Sequence, residues 1–508
     1  MEAIIAGFLD AFTPSNIIYL TVGIAGGVMV GAIPGLNGPM AIAIAVPLTF
    51  YMDPLIAIAF LVGINKGSTF GGSISAILLN TPGTPEAVAT TFDGYPLARQ
   101  GKGLKAMKMA LYASVTGDTF SDIVLIFVAA PIATVALKMG PPEVFSVIIF
   151  ALALIAALES ASLLKGLIGA SLGILVNCIG IDPVSASPRM TFGIMDLQRG
   201  IPLMAVGIGM LALSEVWAQL EAGSHRKRNA DSKKQEEAVK ISAGLTKADQ
   251  RISLAEYLKV GKTLLRSSLI GTAVGTLPGL GVTIASFLGY GAAKRASKNP
   301  EEFGKGSLEG IAAAEAANNA VVGSNMIPLF TLGIPGNVVA ALLIGAFIIH
   351  GVTPGPMMFE ESGRLIYGIY AAMLMANLLN LFIGGLGLRI FAKALSAPRS
   401  IVLPIIIFIC MAGAYMAENS IFAIFLMLIF AAGGYFMRKL EISFVTFIIG
   451  FVLGPMLELS LQQTLIISHN NPLIILRRPI SSAFLLLTAF FLWRVTRKKN
   501  TASKGDTP

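Results

Sequence analysis

The segment Gly27-Val-Met-Val-Gly31-Ala-Ile-Pro34-Gly35-Leu36 has a counterpart in the second half of this chain, Gly271-Thr-Ala-Val-Gly275-Thr-Leu-Pro278-Gly279-Leu280, with six identities in ten positions. Farther along, residues 65–83 align without gaps with residues 318–336, and both stretches end in Pro-Gly. This second match alone is weak, with five identities in nineteen positions. Duplication is the simplest explanation of the two matches together.

Composition places both copies in a membrane. The 508 residues are 55% hydrophobic and 13% charged, whereas a soluble domain carries roughly 25% charged residues. Apolar stretches of about 20 residues, the length that crosses a bilayer, recur from Asn16 to Trp493. This composition excludes soluble enzymes, nucleic-acid-binding proteins and disordered scaffolds. The sequence predicts an all-α polytopic membrane protein with roughly 10–14 membrane segments.

The longest hydrophilic interruption divides the chain into two membrane repeats. Residues 221–266 carry eleven Lys and Arg against six Asp and Glu, so they are interpreted as a linker that has little to bury. The predicted organisation is a first repeat at 1–220, a charged cytoplasmic linker at 221–266, a second repeat at 267–470, an extra transmembrane helix at 471–494 and a basic cytoplasmic tail at 495–508.

Basic residues occupy different loops in the two halves. A cluster at 99–108 has a counterpart at 350–364 with a single Arg, whereas 294–305 is basic only in the second half. If the halves are inverted, the positive-inside rule places 30 of the 37 Lys and Arg in the cytoplasm and six outside. The pattern predicts two inverted-topology repeats with broken helices or re-entrant hairpins, an outer N-terminus and a cytoplasmic C-terminus.

The paired Pro-Gly interruptions indicate a binding site. Interrupted apolar segments at matching positions of two halves are typical of a transporter site at mid-membrane, because a helix that begins there directs N–H groups and its positive dipole end toward an anion. For a single interruption, a packing kink is the alternative. The residues predicted to bind substrate at the interruptions are Pro34, Gly35, Leu36, Asn37, Asn80, Thr81, Pro82, Gly83, Thr84, Pro278, Gly279, Pro335, Gly336 and Asn337.

Lys66 stands inside an apolar and small-residue run. A lysine at the bilayer centre costs ~2.5–3.5 kcal/mol on insertion scales, so its presence needs a reason. One hypothesis makes Lys66, with Gly67 and Ser68, a ligand of an anionic substrate, so that a Lys66→Ala variant inserts normally but does not transport. The alternatives are an ion pair with Asp118, Asp122 or Glu86 and snorkelling of the side chain to the surface.

Amide and hydroxyl side chains near these segments are candidate cation ligands, since hard oxygens suit Na⁺. Buried amides and hydroxyls that bond to neighbouring helices are the alternative for each of them. The candidates are Asn65, Thr69, Asn318, Asn319, Ser324 and Asn325. Asp118 and Asp122, one helical turn apart, are a candidate proton relay. The sequence lacks a zinc or catalytic-triad motif, so an enzyme is disfavoured, and the only cofactor expected is Na⁺ or H⁺.

The sequence resembles the large membrane subunit of tripartite tricarboxylate transporters, the TctA family. The resemblance lies in Gly31-Ala-Ile-Pro-Gly-Leu-Asn-Gly38, in the run Gly67-Ser-Thr-Phe-Gly-Gly-Ser-Ile-Ser-Ala-Ile-Leu-Leu-Asn-Thr-Pro-Gly-Thr-Pro85, in Phe92-Asp-Gly-Tyr-Pro96 and in Gly333-Ile-Pro-Gly336. It implies a permease of the bacterial inner membrane, with a small TctB-like membrane subunit, an extracytoplasmic TctC-like solute-binding protein and no nucleic-acid partner. By analogy with other such transporters, an elevator-type movement is expected.

Together these features predict a secondary transporter that imports a di- or tricarboxylate such as citrate, driven by a sodium or proton gradient. The same features are compatible with two alternative functions. One is the membrane subunit of a sodium-pumping decarboxylase, which would copurify with a soluble carboxyltransferase. The other is a passive carboxylate channel, which would never concentrate its substrate.

Overall fold

The computed structural model describes residues 2–160, 162–225, 250–395 and 399–502. Eleven helices precede the linker: α1 (Glu2–Ala11), α2 (Pro14–Ala32), α3 (Gly38–Ala45), α4 (Pro54–Leu79), α5 (Val88–Leu97), α6 (Gly103–Ala136), α7 (Pro141–Leu158), α8 (Leu163–Asn177), α9 (Met195–Gln198), α10 (Leu203–Gly207) and α11 (Ser214–His225). Short 3₁₀ turns lie at Val46–Thr49 and Pro85–Ala87, and π-helical turns lie at Ala98–Lys102 and Ile208–Leu213.

The described residues after the linker form thirteen further helices: α12 (Leu254–Lys259), α13 (Gly261–Gly275), α14 (Gly281–Ala296), α15 (Leu308–Ser324), α16 (Met326–Leu332), α17 (Val338–Ile349), α18 (Met358–Glu361), α19 (Gly363–Ala394), α20 (Arg399–Glu418), α21 (Ile421–Lys439), α22 (Phe444–Ile467), α23 (Ile474–Arg477) and α24 (Pro479–Ala502). A 3₁₀ turn lies at Pro300–Glu302. One antiparallel hairpin pairs β1 (Gly180–Ile181) with β2 (Pro188–Arg189).

The structure confirms the prediction of an all-α polytopic membrane protein. In the described part of the chain, ten helices are long and apolar enough to cross a bilayer. Three shorter apolar helices lie at Gly38–Thr49, Leu163–Asn177 and Val338–Ile349. The first and third of these begin at the predicted Pro-Gly interruptions.

The order and packing of helices in the first half recur in the second. Helix α4 packs against α2, and α15 packs against α13 in the same way. The halves also interlock, since α4 contacts α19 of the other half while α15 contacts α6. Farther along, α8 packs against α22 and α21 packs against the turn at Ile208–Leu213. A duplicated chain explains this exchange of partners, and the inverted orientation of the two halves remains a prediction.

Glycine allows the two helix pairs that open each half to pack with their backbones in contact. A Cβ on Gly27 of α2 would meet the carbonyl oxygen of Ile64, and one on Gly67 of α4 would meet that of Ile24. Gly271, the counterpart of Gly27, faces a backbone carbonyl of α15 in the same way. Small residues at such spacing permit close helix approach in membranes. Gly67, predicted to bind substrate, therefore lies at a helix contact.

The predicted domain boundaries differ from the helix ends. Helix α13 begins at Gly261, so the last residues of the predicted linker belong to the first helix of the second half. Helix α24 continues to Ala502, across the predicted boundary between the last membrane helix and the tail. The middle of the linker, residues 226–249, and the last six residues of the tail lie outside the described residues.

Asp93 links the first half, through hydrogen bonds, to the loop that precedes α15. The Oδ1 atom of this fully buried residue accepts backbone N–H groups from Gly304 at 2.8 Å, Gly306 at 2.9 Å and Ser307 at 2.8 Å. Its Oδ2 atom accepts the hydroxyl of Tyr290 at 2.9 Å. Ser307 in turn caps α15. One carboxylate thus fixes where α15 begins.

We expect Asp93→Ala to destabilise the protein by about 3 kcal/mol, because three backbone N–H groups lose a charged acceptor. Thermal melting of the detergent-solubilised protein measures this loss. Asp93→Asn retains one acceptor oxygen and is expected to lose less than half as much. Equal melting temperatures for wild type and Asp93→Ala would contradict the role assigned to this carboxylate.

Candidate functional site

Glycines with left-handed backbone conformations form two of the interruptions. Gly35 has φ +93° in the turn between α2 and α3, and Gly279 has φ +85° in the turn between α13 and α14. L-amino acids with a Cβ rarely adopt this region. Pro34 and Pro278 precede them, and each turn brings the chain from one helix into the start of the next. The repeated Pro-Gly pair therefore encodes a helix end followed by a new helix N-terminus.

The other two interruptions also have a residue in the left-handed backbone conformation at a helix end. Asn80 ends α4 at φ 51°, and Gly333 ends α16 at φ 70°. Asparagine then caps two of the helices that begin at the interruptions. Asn37 Oδ1 accepts the N–H of Met40 at 2.9 Å, and Asn337 Oδ1 accepts the N–H of Ala340, also at 2.9 Å. These caps satisfy one N–H in the first turn of each helix, and the remaining first-turn N–H groups have no acceptor inside the helix.

The helix starts converge on one cavity of about 410 Å³. Its lining includes the first residues of α3, of α14 and of α17, together with Glu86 in the turn that leads into α5. Asn65 and Thr69 line it from α4, and Glu159 lines it from the end of α7. Three helix dipoles therefore direct their positive ends toward the same space, which suits a ligand with more than one negative group.

Asn65 is the polar side chain best placed to contact a ligand here. It is 7% exposed, and its amide forms no hydrogen bond with any of the residues that the structure describes. Its Oδ1 lies 3.8 Å from the position that a Cβ on Gly38 would occupy, which places the amide beside the start of α3. A buried amide without a partner is unfavourable unless water or a ligand satisfies it.

The structure divides the predicted substrate residues into two groups. Asn37 and Asn337 line the cavity together with the predicted cation ligands Asn65 and Thr69. The others do not line the cavity. Lys66, Gly67 and Ser68 lie in the middle of α4, and the rest form or flank the interruptions: Pro34, Gly35, Leu36, Asn80, Thr81, Pro82, Gly83, Thr84, Pro278, Gly279, Pro335 and Gly336. Their geometry positions the helix starts. Asn80 and Thr81 are exposed.

Lys66 lies in an ion pair outside the cavity lining. Its Nζ is 2.8 Å from Asp122 Oδ2 and 3.2 Å from Asp118 Oδ1. The same Nζ donates to Asn377 Oδ1 at 2.8 Å, and the Asn377 amide donates to Asp122 Oδ2 at 2.7 Å. All four side chains are buried. Of the interpretations open at the sequence level, this geometry matches the ion pair with both aspartates.

The remaining candidate cation ligands are buried among helices. Ser324 Oγ donates to the carbonyl of Ala320 at 2.8 Å, which is the back-bonding alternative. The Asn319 amide donates to Ser114 Oγ at 2.8 Å. Asn318 has an amide with no hydrogen-bond partner among the described residues. Asn325 contacts the break, since its Oδ1 lies 2.5 Å from the position of a Cβ on Gly336. These four residues do not line the cavity.

Two acidic residues in the lining, Glu86 and Glu159, were not among the predicted site residues. In the sequence, Glu159 occupies a place in the first half similar to that of Glu418 in the second half. A glutamate followed by Ser-Ala-Ser between two apolar helices was the available signal. Its place in the cavity depends on how the end of α7 meets the turn that leads into α14, where a Cβ on Gly279 would meet the backbone of Ile155, and no local pattern reports this contact.

Comparison with known proteins identifies the family. The model of the tripartite tricarboxylate transporter TctA family matches residues 17–449. A protein of Agrobacterium vitis, described as "Uncharacterized 52.8 kDa protein in TAR-I ttuC' 3'region", is 34% identical over 479 residues, covering 94% of this chain and 93% of that protein. Another, "Uncharacterized protein in TAR-II ttuC' 3'region", is 38% identical over 215 residues, 42% of this chain and 89% of its own length. No solved structure matches. The resemblance carried by the Pro-Gly segments is thereby confirmed, and this chain belongs to the tripartite tricarboxylate transporter TctA family.

Proposed function

We propose that this chain is the large permease subunit of a solute-binding-protein-dependent secondary transporter that imports di- or tricarboxylates such as citrate. Membership of a transporter family supports the transport role. The observation that carries the substrate class is the convergence of three helix N-termini on one cavity of about 410 Å³. A cavity of this volume is in the range of small-molecule sites, roughly 300–1,000 Å³.

The first turns of the three helices supply the binding chemistry. Each carries N–H groups without an intrahelical acceptor, and each helix end stabilises a nearby negative charge by about 0.3–1 kcal/mol, rising to ~2 kcal/mol in partly buried sites. A di- or tricarboxylate can contact two or three of these ends at once, whereas a monocarboxylate can contact only one. The unpartnered amide of Asn65 is available to a hydroxyl or carboxylate oxygen of the substrate.

The proposal includes the partners that the family implies. A small membrane subunit accompanies this chain in the bacterial inner membrane, and an extracytoplasmic binding protein delivers the carboxylate to it. A sodium or proton gradient supplies the driving force, and an elevator-type movement of the site remains part of the hypothesis.

The test is uptake of radiolabelled citrate by cells that express this chain with its two neighbouring subunits, with sodium present or replaced by choline. Accumulation above the electrochemical gradient that requires the binding protein supports the proposal. Citrate uptake that only equilibrates indicates a passive channel, and copurification of a carboxyltransferase indicates the decarboxylase subunit. Absence of citrate uptake in the complete system rejects citrate as the substrate.

Thr283 offers a direct test of the helix N-terminus as an anion site. It lies in the first turn of α14 and lines the cavity. Thr283→Asp places a fixed carboxylate there, at a position where a helix tolerates one. Repulsion of the substrate is expected to reduce citrate uptake at least tenfold, which corresponds to about 1.4 kcal/mol.

Thr283→Asn is the matched control, because it has the same shape as the aspartate without the charge. We expect its uptake to remain within about threefold of wild type. The two variants are compared at equal membrane abundance. Equal uptake by both variants would contradict the placement of an anion at the start of α14.

A further inference from the structure

The cavity carries two carboxyl groups although its proposed ligand is an anion. Glu86 and Glu159 both line it, and each lies within electrostatic range of the other. No Lys, Arg or His is among the lining residues. None of the ion pairs found among the described residues includes Glu86 or Glu159. An anionic substrate can share this space only if at least part of this negative charge is neutralised.

The two glutamates occupy opposite ends of helices. Glu86 lies in the first turn of the helical run that begins at Pro85, where the dipole stabilises a negative charge. Glu159 directly follows the last residue of α7, and its N–H bonds to the carbonyl of Ile155 at 2.9 Å. The negative end of the α7 dipole therefore disfavours an ionised Glu159. Of the two, Glu159 is the residue placed to accept a proton.

A third helix, α14, has the opposite effect on the ionisation of Glu159. The Oε1 atom of Glu159 lies 2.9 Å from the position that a Cβ on Gly281 would occupy. Glu159 thus lies against the start of α14, whose positive end favours the ionised form. A substrate carboxylate that binds at the same helix start would take over this stabilisation. Glu159 would then keep only the groups that favour protonation: Glu86, the end of α7 and the substrate itself.

The surrounding elements provide no competing counter-charge. Glu315 on α15 lies within electrostatic range of Glu86 and adds further negative charge. Lys66 on α4 is engaged by Asp118 and Asp122. The lining residues from α3, α14, α17, α22 and the turn at Ile208–Leu213 are uncharged. The described residues also contain no group of three or more His, Cys, Asp or Glu side chains that could hold a metal ion.

We propose that Glu159 carries the co-transported proton of this permease. This inference rests on the proposed transport function, and it identifies the proton as the coupling ion of that transport. The proton binds a carboxylate oxygen of Glu159 from the outer side as the substrate occupies the start of α14, and it is released to the cytoplasm when the substrate leaves. Because linkage is reciprocal, the proton strengthens substrate binding as much as the substrate strengthens proton binding.

The complete three-component transporter, reconstituted in proteoliposomes with radiolabelled citrate and no sodium, tests the coupling. For Glu159→Gln, we expect citrate exchange across the membrane to persist, because the neutral side chain mimics the protonated carboxyl group. Accumulation driven by an inward proton gradient should fall at least tenfold, within the usual range of coupling. Glu159→Asp keeps a titratable group and should retain proton-driven accumulation.

Other results overturn the proposal. Proton-driven accumulation by Glu159→Gln would do so. Loss of both exchange and accumulation in a Glu159→Gln variant of normal membrane abundance would also do so. Wild-type accumulation that needs sodium and ignores the proton gradient would also do so. Glu418→Gln is the matched control, because Glu418 holds the corresponding place at the end of α20 and does not line the cavity. It is expected to behave as wild type.

An infrared titration without substrate separates this inference from the identity of the substrate. In the wild type, a protonated-carboxyl band should grow between about pH 9 and about pH 5, and Glu159→Gln should lack it. A Glu159 that stays ionised at about pH 5, or protonated at about pH 9, cannot both bind and release the proton. Either result overturns the assignment, whereas failure of citrate uptake in the wild type rejects only the substrate.

Discussion

Replacing Lys66 with alanine is expected to abolish citrate uptake while the chain still inserts into the membrane. Removal of the lysine leaves Asp118 and Asp122 buried without their shared cation. Breaking a buried ion pair in this way costs about 3–5 kcal/mol. Insertion itself is not impaired, since a lysine in the bilayer is unfavourable for insertion. Uptake, membrane abundance and the melting temperature in detergent are the three measurements.

A charge-balanced variant separates the two roles that the sequence left open for Lys66. The triple variant Lys66→Met, Asp118→Asn, Asp122→Asn removes the lysine and both negative charges together. Replacing a buried ion group by neutral residues of similar size is often close to neutral in stability. We expect this variant to regain the wild-type melting temperature and at least a third of wild-type uptake. Recovery of stability without any uptake would show that these charges act in transport itself.

Gly27→Leu is expected to prevent correct folding. The new side chain would meet the backbone of α4 at Ile64, and neither helix can move away without losing the contact of its other glycines. Overpacking typically costs about 1–3 kcal/mol and more where backbone atoms block the space. The loss should appear as low membrane abundance and as a melting temperature well below that of wild type.

Gly26→Leu is the control in the neighbouring position. Gly26 is exposed, and a Cβ there would meet no atom within 4 Å. Its effect on stability should stay within about 0.5 kcal/mol. Similar losses in the two variants would mean that leucine at this depth of α2 is harmful for a reason other than contact with α4.

The sequence predicted those features that depend on local chemistry. Pro-Gly pairs favour helix ends in an apolar chain, and their duplication in the sequence predicts four interruptions. Asn37 and Asn337 were predicted to bind substrate because they adjoin such pairs, and the structure shows that both also cap the helices that begin there. The membrane class followed from composition alone.

The features that could not be predicted depend on which distant helices meet. Lys66 and Asn377 are 311 positions apart, so a partner for this lysine in the protein could not be distinguished from a ligand. The contact of Gly67 with α2 could not be predicted for a similar reason, since α2 lies against the face of α4 that carries it. Glu159 was overlooked because it reaches the cavity only where the end of α7 meets the turn before α14.

The interlocked halves have a consequence for biogenesis. Asn377, which bonds both Lys66 and Asp122, belongs to the second half, and so does Glu315, which accepts the hydroxyls of Thr90 and Ser114. Synthesis proceeds from the N-terminus, so the first half reaches the membrane before these partners have been translated. Until α15 and α19 have been synthesised, its buried polar groups must form hydrogen bonds with the insertion machinery or with one another. The rate at which the segment between the two halves is translated therefore affects the yield of folded permease.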